Sequence, residues 1–127
     1  KYNMNFGYED LKVWNMAVDF AVKVIELVEN FETDRKHYRL FDQIEASSTS
    51  ISMNIAEGKG RYSKKEFIHF SYIARGSLYE TMTLLEIFRR KKWISTDKYT
   101  QLEKDAKEIA SMIKGLINSI SMRTENL

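Results

Sequence analysis

Apolar side chains recur along this chain at steps of three and four residues, the spacing of one helix face. The pattern runs through four stretches and is interrupted by short polar segments. It predicts helices over about residues 8–31, 38–57, 64–92 and 96–122. Because the connections are short, we expect one all-α domain over residues 1–127, folded as an antiparallel up-down-up-down four-helix bundle.

Capping residues indicate where these helices begin and end. Ser63 stands three residues before a glutamate, which is a capping-box pair at the start of the third helix, and Ser95 or Thr96 is suited to cap the fourth. Gly58 and Gly60 can adopt the left-handed conformation that ends a helix. The second helix is therefore predicted to stop at these glycines.

The first predicted helix carries two apolar stripes. One contains Leu11, Trp14, Val18, Ala21, Ile25 and Val28, and the other contains Val13, Ala17, Phe20, Val24, Leu27 and Phe31. A helix packed only into its own bundle needs one stripe, so we expect a subunit interface at Val13, Phe20, Val24 and Leu27. The alternative is that a long helix in a small bundle touches two neighbours and shows a wide apolar face for that reason.

Small residues fill the middle of the second helix, from Ala46 to Ser50. Serine and threonine are mediocre helix formers, so such a run indicates close packing. In a hairpin that turns near Arg61, Ser47 is predicted to lie opposite Gly76 and Ser77.

The segment SISMNIAEGKGR, residues 50–61, combines an apolar face with a polar one. Ser50, Asn54 and Glu57 share the polar face at spacings of four and three. We interpret the polar residues here and on the third helix as a network that joins the two helices across the glycine turn, the alternative being a binding site. Its members are Asn54, Glu57, Gly58, Gly60, Arg61, Ser77 and Glu80.

These residues resemble the small four-helix-bundle proteins encoded by intervening sequences of bacterial 23S ribosomal RNA genes. The matching positions are Ser50, Ile51, Asn54, Ile55, Ala56, Glu57, Gly58, Gly60, Arg61, Glu66, Phe67, Phe70, Ala74, Gly76, Ser77 and Glu80, with weaker matches at Leu11, Trp14, Leu40 and Gln43. The resemblance covers about 90 residues in one register.

This family has no settled reaction, but its members form rings of five subunits. A related branch is the accessory protein of diversity-generating retroelements, in which a basic pentamer engages nucleic acid and a reverse transcriptase. The resemblance therefore implies a homopentamer. The family commonly carries basic residues just after the position of Gln43, whereas Glu45, Ala46 and Ser47 stand here. We expect any nucleic-acid role to lie at the end of the bundle instead.

Composition narrows the possible chemistry. The chain has no cysteine and no proline, and no apolar run approaches the roughly 20 residues of a membrane helix, so a cytoplasmic protein without membrane contact is expected. His37 and His69 lie on different elements and lack the spacing of a metal motif. No catalytic constellation, metal site or cofactor is predicted, and we do not expect an enzyme.

Charge is distributed unevenly although the net charge is only +2. Residues 8–34 carry seven acids and two bases, whereas residues 35–92 carry twelve bases and six acids. The predicted topology gathers seven cations at one end of the bundle, near Tyr38 and Trp93: Arg35, Lys36, Arg39, Arg89, Arg90, Lys91 and Lys92.

This composition, cations beside aromatic rings, is typical of surfaces that grip phosphate and stack on bases. Cations at a helix C-terminus also favour the helix dipole, and clusters of them are ordinary solubility features. The first hypothesis is thus a non-catalytic oligomer that binds RNA or DNA. The second is a scaffold whose polar groove between the second and third helices binds a protein partner.

Overall fold

The structure, a computed structural model, describes residues 6–31 and 37–122. A short 3-10 helix, Gly7–Asp10, precedes four α-helices. These are α1 (Lys12–Glu29), α2 (Tyr38–Lys59), α3 (Lys64–Arg90) and α4 (Thr96–Ser121). The predicted all-α class with four helices is confirmed, and none of the helices described here has an apolar stretch long enough to cross a membrane.

Two of the predicted caps form. The Ser63 hydroxyl accepts a hydrogen bond from the backbone N–H of Glu66 at 3.2 Å, and the Ser95 hydroxyl accepts one from Lys98 N–H at 3.1 Å. Ser95 is thus the cap of α4, and Thr96 is its first residue. The first helix begins later than predicted because Leu11 is extended (φ −83°, ψ 119°) between the 3-10 helix and α1.

The glycines act differently from the prediction. None in the described ranges has a positive φ; Gly58 lies within α2, and Gly60 follows its end at φ −79°. A Cβ atom at Gly58 would lie 2.9 Å from Cβ of Phe70 and 3.0 Å from a ring carbon of Phe67. Gly58 is therefore needed for the close approach of α2 and α3, and not for a left-handed turn.

Helices α2 and α3 share the most extensive contact. Among the α-helix pairs that touch each other, α1 and α4 share the smallest contact. Between α2 and α3, the hydroxyls of Ser47 and Thr81 lie 2.8 Å apart in the core, and those of Ser50 and Ser77 lie 3.0 Å apart. Either hydroxyl can donate in this pair, since Thr81 also lies 2.8 Å from the Ser77 carbonyl and Ser47 lies 3.3 Å from the Ile44 carbonyl.

These contacts correct the predicted partner of Ser47 by one helical turn. Ser77 pairs with Ser50, not with Ser47, and Gly76 faces open space, with no atom within 4 Å of an added Cβ. The small residues still serve close packing, because the paired hydroxyls satisfy each other inside the apolar core.

The expected subunit interface on α1 is also corrected. Val13, Phe20 and Val24 are at most 4% exposed in the single chain, and Leu27 is half-buried against the same core. This stripe packs against the neighbouring helices of its own chain. The apolar face of α1 is therefore wide because the helix touches two neighbours in the bundle. Val22, which is 48% exposed, lies on the outer surface of α1.

Replacing Phe20 should therefore destabilise the folded chain rather than separate subunits. We expect Phe20→Ala to lower the free energy of unfolding by about 3–5 kcal/mol, because a ring with 1% exposure leaves a cavity. Chemical denaturation measures this, and Val22→Ala, an exposed control on the same helix, should cost less than about 0.5 kcal/mol. If the Phe20 variant kept its stability but lost the ability to assemble, Phe20 would have to be assigned to a subunit interface.

Candidate nucleic-acid interface

The predicted basic end is formed by the start of α2 and the end of α3. Arg39 is exposed in the first turn of α2, and the residues Arg89–Lys92 close α3. Arg35 and Lys36 lie outside the described residues, so the structure places five of the seven predicted cations.

A cluster of aromatic rings joins these two helix ends. It contains Phe31, His37, Phe41, Phe88 and Trp93. The ring centroids of Trp93 and His37 are 4.5 Å apart, and those of Trp93 and Phe88 are 5.3 Å apart. Since His37 stands two residues before Arg39, and Trp93 directly follows Lys92, the cluster brings both cationic segments to one end of the bundle.

The same cluster changes the interpretation of Trp93. Its ring is half-buried and contacts those of Phe31, His37, Phe41 and Phe88. Rings packed in this way stabilise the fold and leave little free face for a base. Trp93 is thus a packing residue, whereas Tyr38, the other aromatic residue expected beside the cations, is 63% exposed at the first position of α2.

Glu86 binds two of the cations. Its carboxylate accepts hydrogen bonds from Arg89 Nε at 2.8 Å and Arg89 Nη2 at 2.7 Å, and from Arg90 Nε at 2.7 Å. The hydrogen bonds from Arg89 and then Arg90 lower the pKa of Glu86 to about 2, and the same contact raises the pKa of Arg89. Any stability from this depressed pKa is present above about pH 4.5 and is lost as the pH falls towards 2.

This role of Glu86 was not predicted from the sequence. The signal was a glutamate three and four residues before two arginines, the spacing at which helix side chains meet. The two arginines therefore contribute less free positive charge than their number indicates. Lys91 and Lys92 are exposed, and no ion pair with either is found in the described part of the chain.

Lys92 ends α3 in a strained conformation. Its φ is 63°, and Lys92 is the one non-glycine residue with a positive φ within residues 6–31 and 37–122. The Lys92 N–H donates to the Arg89 carbonyl, and the Trp93 N–H donates to the Phe88 carbonyl, both at 2.9 Å. This is the Schellman motif, in which glycine is usual at the position of Lys92.

Arg89 also connects the basic end to α4. Its guanidinium carbon lies 5.6 Å from the ring centroid of Tyr99, within the range of a cation–π contact. Burial, followed by the negative charge of Glu103, raises the pKa of the Tyr99 phenol.

The predicted polar network is divided into separate groups. Asn54 donates to the Ser50 hydroxyl at 2.8 Å, and Ser50 in turn accepts from Ser77. Glu80 does not join them, because its carboxylate accepts a long 3.5 Å hydrogen bond from Gln43.

The third group surrounds Arg61. Arg61 pairs with Glu57 at 2.7 Å and lies 3.7 Å from Glu66, with its guanidinium over the ring of Phe70. The side chains of Arg61 and Glu57 are 40% and 52% exposed, so their pair contributes about 0–1 kcal/mol to stability. The exposed Glu57–Arg61 pair therefore adds little to the contact between α2 and α3, which includes the buried Ser47–Thr81 pair.

No group of three or more potential ligand side chains is arranged to hold a metal ion in the part of the chain that the structure describes. At the basic end, the polar geometry is that of cations at a helix C-terminus, two of which are bound by one carboxylate.

Comparison with known proteins identifies relatives. The family model of the "23S rRNA-intervening sequence protein" matches residues 9–115. The crystal structure of a protein of unknown function from the S23 ribosomal protein family of Bacteroides thetaiotaomicron is 30% identical, with a TM-score of 0.77 over 83% of this chain and 97% of that chain. No curated protein matches the chain.

The strain at Lys92 can be measured. Lys92→Gly should raise the free energy of unfolding by about 1 kcal/mol, because glycine adopts a positive φ without the clash of Cβ with the backbone. Lys91→Gly removes the same charge at φ −76° and should lower stability by about 0.5–1 kcal/mol. Thermal denaturation compares the two, and equal or opposite effects would show that Lys92 is not strained.

Proposed function

Because the chain belongs to the 23S rRNA-intervening sequence protein family, we propose that it is a non-catalytic, oligomeric protein that binds nucleic acid, RNA in particular, through its basic end. The observation that carries the proposal is the exposed pair Lys91 and Lys92. Lys92 occupies a backbone position where glycine would be more stable, so its cation is kept at a cost to the fold. Strained backbone positions of this kind concentrate at functional sites, where the side chain serves binding rather than folding.

The lysine and arginine side chains of the basic end are suited to bind phosphate groups. Lysine ammonium groups bind phosphate as point charges, whereas the arginine fork can bind it through two parallel hydrogen bonds. Arg89 already holds a carboxylate in that way, and Arg90 holds it through one hydrogen bond, so a phosphate would replace Glu86 as their partner. Such contacts bind the backbone of a nucleic acid without reading its sequence.

The proposal includes an up-down-up-down arrangement of antiparallel helices in the cytoplasm. It is supported by the short connections and by the pairs Ser47–Thr81 and Ser50–Ser77, whose numbers rise along α2 while they fall along α3. With this arrangement, Arg39 and the residues Arg89–Lys92 share one end in every subunit.

A protein scaffold is the second candidate. Met53 on α2 and Ile73 on α3 are 66% and 38% exposed, and they stand next to or one turn from the group of Ser50, Asn54 and Ser77. Exposed apolar side chains around hydrogen-bonding groups are typical of a protein contact. A partner bound there would be insensitive to the charges of the basic end.

We expect a ring of five subunits, as in the family that the sequence resembles. The contact would use exposed apolar side chains such as Ile73 and Ile87, since those of Val13 and Phe20 are buried in the monomer. Light scattering should then give about five times the 15.0 kDa of one chain. A monomeric mass at micromolar concentration would contradict the assembly.

The basic end is tested by two opposite changes of charge. The double variant Lys91→Gln with Lys92→Gln should weaken RNA binding and reduce the slope of log affinity against log salt by about one unit per lost phosphate contact. Glu86→Gln should strengthen binding, because it frees Arg89 and Arg90. Fluorescence anisotropy with labelled RNA at several salt concentrations measures both.

Glu108→Gln is the matched control, since it makes the same charge change at an exposed position of α4. It should change affinity much less than Glu86→Gln. If neither the lysine pair nor Glu86 affects binding while the assembly and stability are intact, the basic end is not the interface, and the scaffold is favoured.

A further inference from the structure

Two tyrosines and an arginine lie along the outer surface of α3. The guanidinium carbon of Arg75 is 4.8 Å from the ring centroid of Tyr72 and 5.7 Å from that of Tyr79. The rings are 46% and 54% exposed, so each keeps a free surface although Arg75 rests on both. Nothing in the fold requires such large apolar rings in contact with water.

The surface continues into a groove between α3 and α4. The groove has a volume of about 170 Å³ and is lined by Tyr79, Met82 and Tyr99, with Ala106 and Ala110 among the α4 residues. Tyr99 carries the guanidinium of Arg89, which belongs to the basic end. We call Tyr72, Arg75, Tyr79, Tyr99 and Arg89 the tyrosine–arginine strip.

We propose that the tyrosine–arginine strip binds single-stranded nucleic acid by stacking its unpaired bases, as a continuation of the basic end. This inference rests on the proposed function and names its substrate class. A base stacks on any aromatic face whatever its sequence, and arginines beside the rings hold the phosphates. Duplex RNA hides its bases, so it offers this strip only a backbone.

Charge along the strip favours nucleic acid over a protein. Arg75 has no carboxylate partner in the described part of the chain, and its planar group is held by the two rings. Of the nearby acids, Glu86 is bound by two arginines, and Glu103 lies 3.9 Å from Lys107. Arg75 therefore presents free positive charge beside the exposed rings, whereas Arg89 is shared with Glu86.

The length of the strip sets the size of its ligand. Seventeen residues separate Tyr72 from Arg89, which is about 25 Å along a helix axis. A strand within a duplex advances about 3.4 Å per nucleotide, and an unpaired strand spread over side chains advances further, so roughly seven nucleotides is the most that the strip can contact. Affinity should therefore rise with length and level off at or below about eight nucleotides.

The test uses the full chain with fluorescein-labelled oligo-uridine and oligo-thymidine of 4, 8 and 16 nucleotides and with a 16-base-pair RNA duplex. The double variant Tyr72→Ala with Tyr79→Ala should weaken binding of the single strands at least about five-fold, since one stacked base is worth that much or more. Its duplex affinity and the salt slope should stay unchanged, because no charge is removed. Tyr72→Phe with Tyr79→Phe keeps both rings and should restore binding.

Tyr62→Ala is the matched control, because this tyrosine is fully exposed in the turn before α3, outside the strip. Circular dichroism verifies that the variants are folded. Equal loss with Tyr62→Ala, equal loss of duplex binding, or no loss with the double alanine variant would overturn the inference. If wild-type binding still depends on Lys91 and Lys92, the proposed function survives that result; if the wild type binds no nucleic acid, both fail.

Discussion

The close approach of α2 and α3 is the constraint on which the rest of the structure depends. Gly58 permits it at one end, where any Cβ would collide with Phe67 and Phe70. The hydroxyl pair of Ser47 and Thr81 satisfies itself in the middle of the interface, inside the apolar core. Because hydroxyl pairing is specific to one register, it also decides which residues of α3 face outwards, including Gly76 and both strip tyrosines.

The helices and their caps could be predicted from the sequence because they follow from local rules. Periodicity indicated the four helices, the capping-box pair of Ser63 and Glu66 indicated the start of α3, and the start of α4 was predicted to within one residue, at Ser95 or Thr96. The two faces of α1 could not be separated, because both have the same spacing and only the positions of the neighbours decide which is buried. Gly58 was misinterpreted for a similar reason, since its requirement lies in Phe70, twelve residues away.

The candidate site was predictable in outline, but its details depend on side chains that meet only in the folded chain. The seven cations could be named from the sequence, yet Trp93 proved to belong to an aromatic cluster formed with α2, α3 and Phe31, which follows α1. Glu86 and Arg75 escaped notice although their partners are three and four residues away, because a spacing alone does not show which contact forms. The two proposals therefore assign phosphate binding to the charges at one end of the bundle and base stacking to the aromatic rings along one face.

The Schellman motif at Lys92 limits which substitutions this position can accept. The same two backbone hydrogen bonds end α3, carry the chain into the aromatic cluster and fix the direction in which Lys91 and Lys92 leave the helix. The charge and the reversal of the chain therefore depend on the same residue. A cation placed elsewhere on α3 would not leave the helix in this direction, and a β-branched side chain in place of Lys92 would strain the turn further.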